Sequence, residues 1–352
     1  MYNKSKIILS LLIFFSLKSP GWAWVRHNLI THYILSDQSW LERYNNLRVT
    51  PYSYQDNSLN PKFEILYTNP SQDTPPPGEF RYYALQNQEK PGFIGTPVGG
   101  QISAKQILGD FSDEPDWRMD AGLDLAIAQK LMAGSRGYRH MYYPAWDWHL
   151  PLLFIPQGAP HQRAEHFYQL ARQAFRQGDA YWGFRFLART LHYLQDMGQP
   201  YHTTQTSLKF ITWSSPVAGT TQATKNYHFA YESYISYRLE CENNGLMPPN
   251  YSLALAKAQP LKLEGVSRGV VQVAEINNKT TQATFQTSVE FFGANLRSAQ
   301  EIPLTQADAE RLNTAPQRPA FDEQVRQALE LTSAATKGFL EYMRQDLGDI
   351  LL

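Results

Sequence analysis

The stretch 170–202 reads LARQAFRQGDAYWGFRFLARTLHYLQDMGQPYH and contains the strongest structural signal in the chain. Its apolar residues recur at steps of three and four, which is the spacing of a helix with one buried side. The Gly178-Asp179 dipeptide interrupts this pattern, because glycine commonly ends a helix and aspartate commonly caps the next one. We therefore predict two helices, over about 164–176 and 180–197, joined by a short turn.

Helical spacing extends through most of the chain, whereas few stretches alternate as strands do. A Pro-, Asn-, Ser- and Gly-rich stretch at about 49–100 predicts loop. No repeat and no linker is evident, and the 43% hydrophobic content is enough to build a core. The prediction is a single all-α, multi-helix domain over residues 24–352. Its further helices are expected at about 24–44, 227–239, 266–276, 284–298 and 323–347.

Residues 1–23 have the features of a secretory signal peptide. Two lysines precede an apolar run, and the small residues Gly21 and Ala23 occupy positions −3 and −1 of a cleavage site. Cleavage there would make Trp24 the first residue of the mature chain. Its α-amino group, when unprotonated, could bind a metal together with its own carbonyl oxygen.

The composition excludes several kinds of protein. Formal net charge is zero, and removal of residues 1–23, which hold three lysines and no acid, would leave −3, so tight electrostatic binding of duplex nucleic acid is not expected. Cys241 is the only cysteine, which excludes an intramolecular disulfide. Nothing after residue 23 approaches the apolar length of a membrane-spanning helix, so any membrane contact is expected to be peripheral.

Two histidine–carboxylate pairs have the spacing of metal ligands. His192 with Asp196, and His228 with Glu232, are four residues apart on predicted helices, so each pair shares one helix face. Zinc accepts this mixture of nitrogen and oxygen ligands. His202 follows a Gly-Gln-Pro break, which allows its ring to turn back toward the same ions.

Taken in chain order, these residues resemble the ligand series of the zinc-dependent phospholipase C and S1/P1 nuclease superfamily. The match runs from the first mature residue to about Glu232, and its most specific part is the block 170–202. The motifs that carry the resemblance are Trp24, Thr31-His32, Pro115-Asp116, His140-Met-Tyr-Tyr-Pro144, His192-x3-Asp196, Gln199-Pro200-Tyr201-His202 and His228-x3-Glu232.

The resemblance implies three zinc ions per chain. The first would be held by Asp116, His140, His192 and Asp196. The second would be held by His202, His228 and Glu232. The third would be held by His32 and by the amine and carbonyl of Trp24. Asp196 would bridge the first and third ions, because its two oxygens can each meet a separate cation.

Two of these ligands have rivals in the sequence. His27 and His32 both lie near the start of the mature chain, and we favour His32 because Thr31-His32 resembles the family's pattern of a small residue followed by histidine. Asp116 lies in a Pro-Asp-aromatic triplet that resembles the family's ligand site. The rivals of Asp116 are Asp113, Glu114 and Asp120.

The resemblance also implies an exported zinc enzyme, secreted or periplasmic, that hydrolyses phosphodiester bonds. The surroundings of His140 and His202 resemble the bacterial phospholipase C branch, which cleaves phosphatidylcholine-like lipids into diacylglycerol and a phosphorylated headgroup. In that role Asp116 would also accept a proton from the attacking water. The expected partner is a phospholipid at a membrane surface, and the chain is expected to be a monomer.

Two alternatives to phospholipase activity stay open in the sequence. The same cluster would serve an S1/P1-type single-strand nuclease or 3′-nucleotidase, and only then is a nucleic-acid partner expected. The other alternative is a non-enzymatic helical protein whose closed sites hold structural zinc.

Overall fold

The computed structural model is almost entirely helical in the part of the chain that it describes. It describes residues 26–54, 96, 98–116, 134–144, 156–204, 217–280 and 283–348. The helices are α1 (His27–Leu35), α2 (Ala104–Asp110), α3 (Gly134–His140), α4 (Pro160–Arg176), α5 (Ala180–Asp196), α6 (Pro200–Thr203), α7 (Val217–Asn243), α8 (Tyr251–Lys257), α9 (Val266–Thr280), α10 (Thr284–Phe292), α11 (Gln306–Leu312) and α12 (Arg318–Leu347). Short 3-10 helices cover Ser39–Tyr44, Phe111–Asp116 and Ala294–Leu296.

Strand structure within the described residues is limited to one short antiparallel pair. Strand β1 (Leu47–Arg48) pairs with β2 (Gln101–Ile102), and Leu47 lies opposite Ile102. The all-α prediction is therefore confirmed. The predicted signal segment 1–23, Trp24, most of the predicted loop and Asp120 lie outside the described residues.

The turn between α4 and α5 forms as the sequence predicts. Gly178 has a φ of +77°, a left-handed conformation that residues with a Cβ rarely adopt. Asp179 then caps α5, because its side chain accepts a hydrogen bond from the backbone N–H of Trp182 at 3.2 Å. Its carboxylate also accepts from Thr50 Oγ1 at 2.8 Å and Tyr54 OH at 3.0 Å, which ties the 47–54 segment to the start of the helix.

Helix α5 is the centre of the molecule. Every residue from Tyr181 to Asp196 is buried, so the helix has neighbours on all sides. It belongs to a cluster of buried apolar residues that also includes residues of α4, α9 and the second half of α12. A second cluster is formed by α1, α7, α10 and the first half of α12. The end of α5 therefore lies close to elements of both clusters.

The end of α5 approaches α12 closely. A Cβ built on Gly198 would overlap Thr332 Oγ1, so only glycine fits at this position. Among the described residues, no helix is both long enough and apolar enough to cross a lipid bilayer.

Candidate metal centre

Four ligand atoms from three elements converge at the end of α5. Asp116 is the last residue of the 3-10 helix Phe111–Asp116, His140 is the last residue of α3, and His192 and Asp196 lie on α5. His140 Nδ1 lies 3.0 Å from His192 Nε2 and 3.0 Å from Asp196 Oδ2. His192 Nε2 lies 3.4 Å from Asp196 Oδ2, and Asp116 Oδ1 lies 3.8 Å from both ring nitrogens.

These separations fit the ligands of a single zinc ion. Four atoms placed tetrahedrally at zinc–nitrogen and zinc–oxygen bond lengths are roughly 3.4 Å apart. Five of the six separations among the ligand atoms of Asp116, His140, His192 and Asp196 range from 3.0 to 3.8 Å. Three of the residues predicted for the first zinc, Asp116, His140 and His192, form one potential metal group, and Asp196 lies next to both of its histidines.

Backbone carbonyls orient two of the histidines. His192 Nδ1 lies 2.8 Å from the carbonyl oxygen of Ser112, and His202 Nδ1 lies 2.7 Å from that of His140. A carbonyl only accepts, so each Nδ1 carries the hydrogen and each neutral ring keeps its lone pair on Nε2. Metal-ligating histidines are commonly held in this way.

The second predicted group also assembles. Ligand atoms of His202, His228 and Glu232 lie within 4.8 Å of one another, and all three residues are buried. Glu232 Oε1 lies 2.9 Å from His228 Nε2 and accepts a hydrogen bond from Gln199 Nε2 at 2.8 Å. The other carboxylate oxygen, Oε2, has no hydrogen-bond partner among the described residues. A buried carboxylate oxygen of this kind, on a side chain that lies beside two histidines, fits a cation ligand.

The third group contains His27 in place of His32. His27 Nε2 lies 3.4 Å from Asp196 Oδ1, and its ring centroid is 4.1 Å from that of His192. Neither His27 Nε2 nor Asp196 Oδ1 has a hydrogen-bond partner among the described residues. Asp196 thus turns Oδ2 toward the first group and Oδ1 toward His27, which is the arrangement expected of a bridging carboxylate. Trp24, the other predicted ligand here, lies outside the described residues.

The placement of His32 corrects the sequence-based choice. His32 is exposed, and its Nε2 lies 2.8 Å from Asp110 Oδ1 at the surface. Helix α1 buries His27, Ile30 and Ile34, whereas position 32 faces away from that side. The apolar spacing of the two isoleucines identifies the buried face, and His27 shares it. The periodicity of α1 therefore predicts that His27 is the buried histidine. The resemblance of Thr31-His32 to the family's motif favoured His32, which the structure places at the surface.

The rivals of Asp116 have other roles. Asp113 Oδ1 accepts a hydrogen bond from the backbone N–H of Asn28 at 3.0 Å, at the start of α1. Glu114 lies between two buried arginines, with Oε1 2.8 Å from Arg185 Nε and Oε2 2.7 Å from Arg189 Nε. Asp116 is the one of the three that contributes to a potential metal group.

Burial and neighbouring charges set the protonation of the ligands. Burial alone would raise the pKa of Asp196, but His192 and His202 beside it hold that pKa well below the usual range. Burial lowers the pKa of His228 to about 3 and, together with the nearby His27, lowers the pKa of His192 well below its ordinary value. These groups are in the deprotonated forms that metal binding requires.

Two groups depart from this pattern. Burial raises the pKa of Glu232 well above its usual range, which favours the protonated side chain when no cation is bound. Burial alone would lower the pKa of His27, but the neighbouring carboxylate of Asp196 raises it. A bound cation would reverse both effects by favouring the deprotonated ligands.

The centre is open to solvent on one side. The side chains of Asp116 and His228 are 9% and 7% exposed, whereas those of His27, His140, His192, Asp196, His202 and Glu232 are fully buried. The small exposed part of the cluster therefore lies between the end of the 3-10 helix Phe111–Asp116 and helix α7. A separate groove of about 480 Å³, with lining residues that include Lys257, Thr280 and Leu331, shares no residue with the cluster.

Comparison with known proteins adds a weak likeness. No protein-family model and no curated protein sequence matches the chain. Among solved structures, the chain is similar to the alpha-toxin of Clostridium perfringens isolated from an avian strain, with a TM-score of 0.41 and 15% identity over 93% of this chain and 66% of the toxin. It is also similar to the alpha toxin of Clostridium absonum, with a TM-score of 0.38 and 12% identity over 93% of this chain and 67% of the toxin. Because both scores are low, the all-α assignment comes from the helices themselves.

Proposed function

We propose that the chain is a zinc-dependent phosphodiester hydrolase, and specifically a phospholipase C acting on phosphatidylcholine-like lipids. The observation that carries the proposal is the convergence of Asp116, His140, His192 and Asp196, in which each histidine lies within 3.8 Å of each carboxylate. Another potential group, His27 with His192 and Asp196, shares two of these residues, and a further one is formed by His202, His228 and Glu232. A single structural ion would not need this many buried ligands.

Charge balance supports the presence of cations. The cluster buries three carboxylates, those of Asp116, Asp196 and Glu232, beside five histidines. Burying several carboxylates without compensating positive charge is strongly unfavourable. The two arginines on the same helix, Arg185 and Arg189, bind Glu114, which is not one of the candidate ligands. A set rich in imidazole favours zinc over magnesium or calcium, which prefer oxygen ligands alone.

When bound, zinc ions at such a site lower the pKa of water and neutralise phosphate oxygens during in-line hydrolysis. The chain's own residues orient the ligands and accept the proton that the attacking water loses. Asp116, at the open side, is placed to accept the proton of the attacking water at its carboxylate. The fully buried side chains of His192 and Asp196 would fix the positions of the ligands. The amine of Trp24 would be a further ligand of the ion held by His27 and Asp196.

The substrate class rests on the motifs around His140 and His202, which resemble the phospholipase branch rather than the nuclease branch. We propose that the mature chain is exported, binds the lipid surface peripherally, and leaves diacylglycerol in the membrane. No covalent enzyme intermediate is needed, since water can attack the phosphorus directly.

The test uses purified mature protein that begins at Trp24, assayed on phosphatidylcholine vesicles and on single-stranded DNA. We expect release of the phosphorylated headgroup, loss of that activity in chelator, and its return with added zinc. Cleavage of DNA but not lipid would replace the phospholipase proposal with the nuclease alternative. A zinc-loaded protein that cleaves neither substrate would identify structural zinc.

A matched pair of variants on one helix sharpens this test. His27→Ala removes a buried histidine of the cluster, whereas His32→Ala removes an exposed one from the same helix. We expect His27→Ala to lose zinc and activity and His32→Ala to retain both. Equal effects of the two substitutions would contradict the assignment of His27 to the centre.

A further inference from the structure

Gln195 is a buried residue next to a metal ligand, yet it does not face the metal groups. It precedes Asp196 on α5 and is fully buried between α1 and α12. Its Oε1 lies 2.8 Å from His27 Nδ1. Its Nε2 donates to Thr31 Oγ1 at 2.9 Å and to Thr336 Oγ1 at 3.3 Å.

The hydroxyl of Thr336 fixes which way the Gln195 amide points. Thr336 Oγ1 donates its hydrogen to the backbone carbonyl of Thr332 at 2.8 Å, one helical turn earlier on α12. That hydroxyl therefore offers only lone pairs to Gln195, so the neighbouring amide atom must be the NH2 group. The amide oxygen is then left facing His27.

This orientation fixes the tautomer of the His27 ring. An amide oxygen only accepts, so His27 Nδ1 must carry hydrogen to make the 2.8 Å contact. In the neutral ring, the lone pair is then on Nε2. That atom lies 3.4 Å from Asp196 Oδ1, where the third group of potential ligands meets.

We propose that Gln195 is a positioning residue that, braced by Thr336, directs the lone pair of His27 Nε2 at a metal ion shared with Asp196. The inference rests on the proposed zinc centre. Helix α12 supplies none of the ligands named above. Through Thr336 it would nevertheless help to orient His27 in the third group. His192 and His202 are oriented by backbone carbonyls, whereas His27 depends on a side chain that substitution can remove.

Three variants test the role of this side chain. Gln195→Leu removes the acceptor with little change in size, Gln195→Glu keeps an acceptor for His27, and Thr336→Val removes the brace. The matched control is Asn277→Leu, because Asn277 is also a buried amide and donates to Met197 O at 2.8 Å, just beyond α5. Folding of every variant is checked by circular dichroism.

Zinc per chain and zinc affinity are measured by elemental analysis and by competition with a chromophoric chelator. We expect Gln195→Leu to weaken one zinc site by about 10- to 100-fold, as is usual when the partner of a ligating histidine is lost. Gln195→Glu keeps the acceptor but cannot donate to Thr336, so it and Thr336→Val should each give a smaller loss, and Asn277→Leu should bind zinc as the unmodified protein does. Wild-type affinity at every site of a folded Gln195→Leu would overturn the inference.

A second measurement separates orientation of the ring from general stability. In protein with 15N-labelled histidine, His27 Nδ1–H should give an exchange-protected proton resonance that persists in Asn277→Leu and disappears in Gln195→Leu. Its survival in folded Gln195→Leu would also overturn the inference. Failure of the proposed function would give a different result. A protein whose zinc affinity depends on Gln195 but that cleaves no lipid would contradict only the assignment as a phospholipase.

Discussion

At the scale of single residues, Asp196 is the point where the potential metal groups meet. Its Oδ2 lies 3.0 Å from His140 Nδ1, and its Oδ1 lies 3.4 Å from His27 Nε2 and 3.5 Å from His202 Nδ1. Both oxygens therefore face histidines that belong to different groups. No other carboxylate among the described ligands is placed in this way.

Replacement of Asp196 should consequently affect more than one ion. We expect Asp196→Asn to remove two zinc ions per chain and to abolish hydrolysis, because an amide has one good oxygen ligand and no charge. Glu232→Gln is the matched variant, and it should remove one ion. Elemental analysis of both proteins decides the point, and equal zinc contents would show that Asp196 does not bridge.

Glu232 predicts a proton released on metal binding. Burial raises its pKa well above the usual range, which favours a proton on this side chain in the metal-free protein. A cation must displace that proton, since the ligand is the carboxylate. Calorimetric zinc titrations at pH 7 in buffers of different ionisation enthalpy should show proton release, and the released fraction should fall in Glu232→Gln. Buffer-independent heats in the unmodified protein would refute this account.

At the scale of elements, one face of α5 organises the centre. Arg185, Arg189, His192 and Asp196 follow one another at steps of four, three and four, so they lie on a single side of the helix. The two arginines bind Glu114 of the 3-10 helix Phe111–Asp116, and His192 donates to Ser112 O of the same segment. The segment is thereby fixed against α5 with Asp116 at the cluster.

Loss of the Glu114 charge should loosen this attachment. Glu114→Gln leaves two buried arginines without their carboxylate, and breaking a buried ion pair in this way costs about 3–5 kcal/mol. The free energy of unfolding of the metal-free protein, measured in urea, should fall by that amount. Glu264→Gln is the control, because Glu264 and Arg268 form an exposed pair at 3.6 Å that is worth under about 1 kcal/mol. Similar losses in the two variants would contradict the role of Glu114.

Sequence periodicity predicted the long helices and missed the short ones. Helices α4 and α5 begin and end close to the predicted bounds, because each spans 17 residues and repeats its apolar spacing several times. Helices α2, α8 and α11 have seven residues each, which is about two turns and too few for a periodic signal. The predicted helix at 284–298 divides at Gly293, whose φ of +88° ends α10.

Some candidate ligands could be predicted from neighbouring residues, whereas others depend on contacts with distant parts of the chain. His192 with Asp196 and His228 with Glu232 could be paired from sequence because one helix face joins each pair. The choice among Asp113, Glu114 and Asp116 depends on arginines that lie about seventy residues later in the chain, so local sequence does not determine it. The choice of His32 was wrong because it ignored which face of α1 is buried.

At the scale of the whole molecule, the metal centre joins the two clusters of buried apolar residues. Helix α5 belongs to the first cluster and supplies His192 and Asp196, whereas α7 belongs to the second and supplies His228 and Glu232. The ion assigned to His27 of α1 and Asp196 of α5 would connect an element of the second cluster to one of the first. Zinc is expected to stabilise the fold as well as to support hydrolysis.

Removal of zinc should accordingly lower the melting temperature. A ligand present at 100 times its Kd stabilises a folded protein by about 2.7 kcal/mol per site, which in a chain of this size corresponds to about 4 °C. We expect chelator to shift thermal unfolding, followed by circular dichroism, by at least that much, and added zinc to reverse the shift. Asp196→Asn, with fewer ions to lose, should shift less, and His32→Ala should behave like the unmodified protein. If chelator strips the zinc and the melting temperature does not change, the ions do not stabilise the fold and do not connect the two clusters.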